Sequence, residues 1–251
     1  MTGLSVRKSS ASDTVPAPGD GELHLWFCHR QLIADSEAFQ RGVLARYAGL
    51  APAELRFAKG PHGKPALSFP PLPVAYNVSH SGERMVLVVS GGAAVGVDIE
   101  YCDPRRDVEK LARRFFSGAE SRQLHACAGP EQLCRFYDYW TLKEAAIKAA
   151  GGALGRELET TTFDLAEPAA TGEECKPSGI AALSSPVKGS AWFAVLQPCA
   201  DYRLAICCVA EQDFAGGIQQ FAWPHGALDT CQARLLATSG VDHKASGAAQ
   251  L

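Results

Sequence analysis

Val95-Gly96-Val97-Asp98-Ile99-Glu100 and Trp140-Thr141-Leu142-Lys143-Glu144-Ala145-Ala146-Ile147-Lys148 are the two stretches on which the fold is read. In the first, Val95, Val97 and Ile99 alternate with Asp98 and Glu100, the two-residue period of a strand, so both carboxylates leave one face. In the second, Glu144 and Lys148 stand four apart in a helix-favouring run and share one helix face. Two acids on a strand and a third on a helix are the oxygen donors a hard cation such as Mg²⁺ takes from protein, with water and phosphate completing its shell. A lysine one turn further on suits the charge of the same phosphates. Together these residues predict a phosphate-transfer site.

Working outward, the chain makes two rounds of strand, helical region and strands, and both stretches lie in the second. In the first round Leu23–Phe27 predicts a strand, Asp35 or Ser36 caps a helix bearing Phe39, Val43, Leu44 and Tyr47, and Leu55–Phe57 is a strand. Val74–Ser79 and Met85–Val89 form a hairpin around Ser81-Gly82-Glu83. In the second round Val95–Glu100 precedes helices near Asp107–Phe116, Gly118–Ala126 and Glu131–Ala150, then strands at Thr161–Leu165, Ala191–Leu196 and Arg203–Val209. The expected fold class is α+β, a pseudo-twofold monomer of two similar halves. The expected divisions are a disordered tail over residues 1–21, halves over 22–92 and 93–222, and a mobile tail over 223–251. The Pro-, Gly- and Ser-rich segment 167–190 is expected as a surface excursion.

Composition narrows the function. The chain has 251 residues, is 47% hydrophobic and 20% charged, and carries a net charge of −3. That gives no electrostatic case for nucleic acid or a membrane surface. No run approaches the roughly twenty apolar residues of a spanning helix. The nine cysteines are odd in number and lack a CxxC pair, which argues against zinc and a disulfide framework. Cys207 and Cys208 read as buried reduced thiols. Residues 1–20 lack an apolar core segment, so the chain reads as cytoplasmic, with organelle targeting by that segment left open.

Two shorter motifs add basic and polar groups. Gly63-Lys64-Pro65 puts Lys64 on a rigid turn, beside an anion or an adenine ring. Asn77-Val78-Ser79-His80-Ser81-Gly82 ends a strand in groups that suit a phosphate, Ser79 and His80 among them. Taken singly, every one of these features has a plainer reading. An Asp-x-Glu pair on a strand is usually a solvated face, Glu144 with Lys148 an ordinary helix ion pair, and His80 a turn histidine.

Their order is what lifts them. Gly63-Lys64-Pro65, Tyr76 to Gly82, Val95 to Glu100, Arg114-Phe115-Phe116-Ser117-Gly118-Ala119-Glu120 and Trp140 to Lys148 resemble, in sequence and spacing, the Sfp-like 4′-phosphopantetheinyl transferases. The resemblance runs from about Arg41 to Val209. It implies coenzyme A between the halves and transfer of its phosphopantetheine arm to a serine of an acyl or peptidyl carrier protein. It implies Mg²⁺ at Asp98, Glu100 and Glu144, with Glu144 and Lys148 catalytic. It also implies Lys148 on the pyrophosphate, Ser79 and His80 at the 3′-phosphate, Lys64 by the adenine, and Arg41 and Arg46 near the coenzyme. The segment after Phe27 is shorter than in that family, which keeps open a coenzyme A- or carrier-binding module with weak or no turnover. Another Mg²⁺-dependent phosphoryl or nucleotidyl transferase is a further rival, but it would usually bring a Walker-type loop, which is missing. Arg105, Arg106, Arg113, Arg114 and Arg122 cluster about Phe115-Phe116 and are expected to meet an acidic carrier.

Overall fold

Alternation in the strands and helical spacing between them build two sheets that share one apolar layer. The structure, a computed structural model, describes residues 4–6, 14–59, 65–152, 155–166, 178–210, 214, 217–224 and 233–239. In chain order its strands are β1 (Leu4–Val6), β2 (Leu23–His29), β3 (Arg56–Lys59), β4 (Pro65–Phe69), β5 (Ala75–Ser81), β6 (Arg84–Ser90) and β7 (Val95–Tyr101). Then come β8 (Thr162–Leu165), β9 (Ser178–Ser184), β10 (Ala191–Gln197), β11 (Tyr202–Val209), β12 (Ile218–Trp223) and β13 (Arg234–Thr238). The α-helices are α1 (Ser36–Ala48), α2 (Val108–Phe115), α3 (Gly118–Ala126), α4 (Pro130–Ala149) and α5 (Arg156–Thr160). One sheet runs β1-β12-β2-β6-β5, the other β7-β11-β10-β13-β9-β8, and β3-β4 is a separate ribbon.

The two-residue period sorts each strand's apolar residues into two layers. Leu23, Leu25 and Phe27 of β2 and Val86 and Val88 of β6 meet Val95, Val97 and Ile99 of β7 and Leu204 and Ile206 of β11 between the sheets. The intervening residues turn outward. Trp26, Met85, Leu87 and Val89 pack under Phe39 and Val43 of α1. Phe193, Val195, Ala205 and Cys207 pack under Tyr139, Leu142, Ala145 and Ala146 of α4. The order of layers is helix, sheet, sheet, helix. Cys207 and Cys208 fall on opposite faces of β11 and are free. Burial pushes the Cys208 thiol up to about 11, and Cys207 further.

Helix starts follow the capping chemistry. Asp35 accepts from the Ala38 amide at 2.8 Å to open α1. Ser117 and Glu120 form a reciprocal capping box on α3. Gly49, at φ 65°, closes α1 in the left-handed conformation a side chain disfavours.

The mixed α+β architecture is present, but the chain crosses the expected division between residues 22–92 and 93–222. β12 returns to the first sheet and pairs parallel with β2, Ile218 opposite Leu23 and Trp223 opposite Cys28. Inside the expected C-terminal tail, β13 inserts between β10 and β9. At the other end β1 pairs with β12, and Val15 is buried against α1. The physical reason is edge satisfaction: without β12, the long buried strand β2 would leave a row of unpaired amides and carbonyls. Of the surface excursion, residues 167–177 lie outside the described residues, as do 225–232 and 240–251 of the tail.

Candidate functional site

β5 and β7 are the facing edge strands of the two sheets, and the site is built on their seam. No backbone ladder joins them. Instead alternate side chains of β5 bond alternate amides of β7. The Val97, Ile99 and Tyr101 amides donate to Asn77 Oδ1 at 3.2 Å, Ser79 Oγ at 3.4 Å and Ser81 Oγ at 3.1 Å. Each bond of this kind is worth about 1 kcal/mol net. The two hydroxyls then donate onward, Ser79 to Asp98 Oδ1 at 2.8 Å and Ser81 to Glu100 Oε2 at 2.7 Å.

Helix α4 closes over these carboxylates because Gly96 lets it. Gly96, Asp98 and Glu100 share the face of β7 turned to α4, and a Cβ on Gly96 would run into the Ala145 carbonyl oxygen and the Ala149 nitrogen. This close approach brings Lys148 onto the strand. Its ammonium lies 2.7 Å from Asp98 Oδ1 and also donates to Ser79 Oγ at 3.0 Å and to the Val97 carbonyl at 3.2 Å. Glu144, one turn earlier, is 6% exposed.

The electrostatics follow from burial. Asp98 is 4% exposed, and its Oδ2 is buried without a hydrogen-bond partner. Burial, then the Asp98 charge, raise the Glu100 carboxyl above the usual carboxylate range, against the lowering effect of Ser81, Arg106 and Lys148. A buried carboxylate oxygen without a donor, beside a second carboxylate whose charge burial disfavours, favours an added cation. The donor set fits Mg²⁺, which characteristically takes one or two carboxylates together with substrate phosphate. Among the described residues, however, no three His, Cys, Asp or Glu side chains are grouped so as to hold a metal. The expected convergence of Asp98, Glu100 and Glu144 on one ion is therefore not assembled here, where the Lys148 ammonium supplies the positive charge beside Asp98.

The remaining expected ligands are dispersed. Ser79 is buried and turned to Asp98 and Lys148, whereas His80 is exposed on the opposite face of β5, since successive residues of a strand alternate. Arg41 is held by Glu37 at 2.8 Å and by the Leu55 carbonyl at 2.7 Å, and lies over the Phe57 ring. Arg46 is buried in α1 and lies over the Trp223 ring. Lys64 lies outside the described residues.

Two buried ion pairs were not read from the sequence. Lys143 is fully buried and pairs with Glu120 at 3.0 Å, while donating to the Leu158 and Thr161 carbonyls. Glu120 in turn accepts from the Phe163 amide at 3.0 Å. This pair ties α4 to α3, α5 and β8 directly behind Glu144. Arg203, opposite Glu100 in the β7–β11 register, pairs with Asp138 of α4 at 2.9 Å. The sequence signal for the first pair was present in the capping box, which already placed Glu120 at a fixed helix position.

The stretch that carries these residues also matches known proteins in sequence. The family model of the 4′-phosphopantetheinyl transferase superfamily matches residues 94–207, which run from β7 through β11. A 4′-phosphopantetheinyl transferase of Bacillus subtilis is 33% identical over 193 residues, 76% of this chain and 78% of that protein. The chain belongs to the 4′-phosphopantetheinyl transferase family. The transferase HetI of a Nostoc species is 32% identical over 130 residues, covering 51% of this chain and 55% of the relative. For the transferase Sfp of Bacillus subtilis strain 168 the values are 36% over 138 residues, 55% and 58%. In these last two the match spans little more than half of the relative's length. Among the described residues no helix is long and apolar enough to cross a membrane.

Proposed function

We propose that this chain transfers the 4′-phosphopantetheine arm of coenzyme A to a serine hydroxyl of an acyl or peptidyl carrier protein, with Mg²⁺, releasing adenosine 3′,5′-bisphosphate. The observation that carries this reading is the seam cluster of Ser79, Asp98 and Lys148, with a buried carboxylate oxygen left without a donor. Family membership supports phosphopantetheinyl transfer in general; the carrier, the cation and the released product are the proposal.

When bound, Mg²⁺ would neutralise the pyrophosphate and make its phosphorus more electrophilic. Asp98 and Glu100 would hold it, with Glu144 as the third acid. Lys148 would turn its ammonium from Asp98 to the pyrophosphate and stabilise charge on the leaving bisphosphate. Glu144 would accept the proton of the carrier serine. The serine Oγ–P bond forms as the P–O bond inside the pyrophosphate breaks. Ser79, His80, Lys64, Arg41 and Arg46 are proposed as coenzyme contacts, the last two after release from their present partners.

The carrier would dock on the α2–α3 surface. Arg105, Arg106, Arg113, Arg114 and Arg122 are all exposed there, around Phe115, whose ring packs on Trp140. Such a basic patch suits an acidic partner. The test is incubation with coenzyme A, Mg²⁺ and an apo carrier, followed by intact mass. A phosphopantetheine-sized gain that EDTA abolishes is expected; a chain that binds coenzyme A and leaves the carrier unmodified would overturn the proposal. Reversing Arg113 and Arg122 to Glu is expected to raise the carrier KM about tenfold and leave the coenzyme KM unchanged.

A further inference from the structure

Ser81 closes the Asn77-Val78-Ser79-His80-Ser81 strand, two residues beyond the serine whose hydroxyl serves Asp98 and Lys148. Its Oγ accepts the Tyr101 amide at 3.1 Å, which directs the hydroxyl hydrogen away from β7's backbone. The hydrogen then points at Glu100 Oε2, 2.7 Å away. With its accepting and donating roles both assigned, the hydroxyl has one orientation.

The base of this arrangement is fixed from both halves. Gly82 turns the chain at φ 53°, and a Cβ there would press on the Tyr202 hydroxyl. That hydroxyl accepts the Glu83 amide at 3.1 Å, so the β5–β6 turn is pinned to β11, the strand beside β7. Ser81 is thus a rigid post from the first sheet bearing on an acid of the second. Asp98 has the Lys148 ammonium besides a serine, whereas Glu100 has the Ser81 hydroxyl on Oε2.

We propose that Ser81 is a positioning residue for the transfer, holding Glu100 in the orientation that presents its second oxygen to the divalent cation. The proposal rests on the reading of Asp98 and Glu100 as cation ligands. Hydrogen bonds to a ligating carboxylate orient it, and their loss characteristically weakens metal binding about 10–100-fold.

The test measures Mn²⁺ binding in the presence of coenzyme A, by the electron paramagnetic resonance signal of the free ion, alongside thermal melting of the metal-free proteins. Ser81→Ala is expected to weaken Mn²⁺ about tenfold or more, and Ser81→Thr, which keeps the hydroxyl, to stay within about twofold of the parent. Adding Ser81→Ala to Glu100→Gln is expected to cost nothing further, since the two act through one interaction. Should Ser81→Ala not fold, Ser81→Cys, of similar volume and a weak donor, is expected to show the same loss. Parent-like affinity in a folded Ser81→Ala protein, or an additive double variant, overturns the proposal. If the parent protein itself binds no Mn²⁺ with coenzyme A, the cation-ligand reading fails first and takes this inference with it.

Discussion

Lys143 and Lys148 are five positions apart on one helix and have opposite tasks. Lys148 lies at the seam with its side chain 14% exposed, while the Lys143 side chain has no exposed surface at all. Burial lowers the Lys143 pKa, and the Glu120 carboxylate opposes that shift. Removing one partner of such a pair leaves a charge in an apolar interior, at a cost of about 3–5 kcal/mol. Lys143→Met is therefore expected to lose about that much in urea unfolding. Lys148→Met, which leaves the buried Asp98 carboxylate without its ammonium, should lose stability as well and nearly all transfer with it. Glu100 carries a prediction of the other sign. Its folded pKa lies above the unfolded one, so its ionised form costs stability, and that cost appears as pH rises through the interval between the two. Glu100→Gln is expected to melt higher than the parent at neutral pH and equally at pH below the ordinary carboxylate range. The same substitution should weaken, without abolishing, stabilisation by added Mg²⁺. A parent less stable at pH 4 than at pH 7 by more than Glu100→Gln shows would contradict this sign.

At the scale of elements, what was legible is what local periodicity encodes. Alternation placed Asp98 and Glu100 on one strand face, helical spacing set Glu144 beside Lys148, and Asp35 marked the start of α1. What stayed hidden depends on pairing across the chain. Ser79 and His80 read as phosphate-holding groups and Ser81 only as part of the turn; that Ser79 and Ser81 bridge to Asp98 and Glu100 depends on the facing edges of two sheets meeting there. Glu120 stood in a motif without a stated role; it caps α3 and is also the counter-ion of a lysine 23 positions later. Gly96 was part of a motif without a stated reason, and the reason is the backbone of α4 lying against it. Gly96→Ala should therefore push α4 off β7 and part Lys148 from Asp98. A loss of about 1–3 kcal/mol in stability is expected from overpacking, with a far larger fall in kcat than a stability loss of that size explains. Unchanged kcat in the folded variant would show that the α4–β7 distance does not set the site.

For the whole molecule, the chain's two rounds of strand and helix suggest two similar halves, and the topology interlocks them. The first sheet takes β12 from residues 218–223 as the neighbour of β2, and the second takes β13 from residues 234–238 between β10 and β9. The layer between the sheets draws on both, so neither sheet's inner face is covered without the other. A chain ending at Ala210 would keep every residue of the seam site. It would nonetheless bare the amides and carbonyls of β2 and break the second sheet in its middle. Its folding should fail as one event, because the exposed edge and the opened layer are the same defect seen from two sides. The expected outcome is loss of the cooperative urea transition and of protection from amide exchange in β2, β6, β7 and β11 together. A fragment of residues 1–92 is expected to remain unfolded for the same reason. Retained exchange protection in β7 and α4 of the shortened chain would instead show that the site-bearing half stands alone.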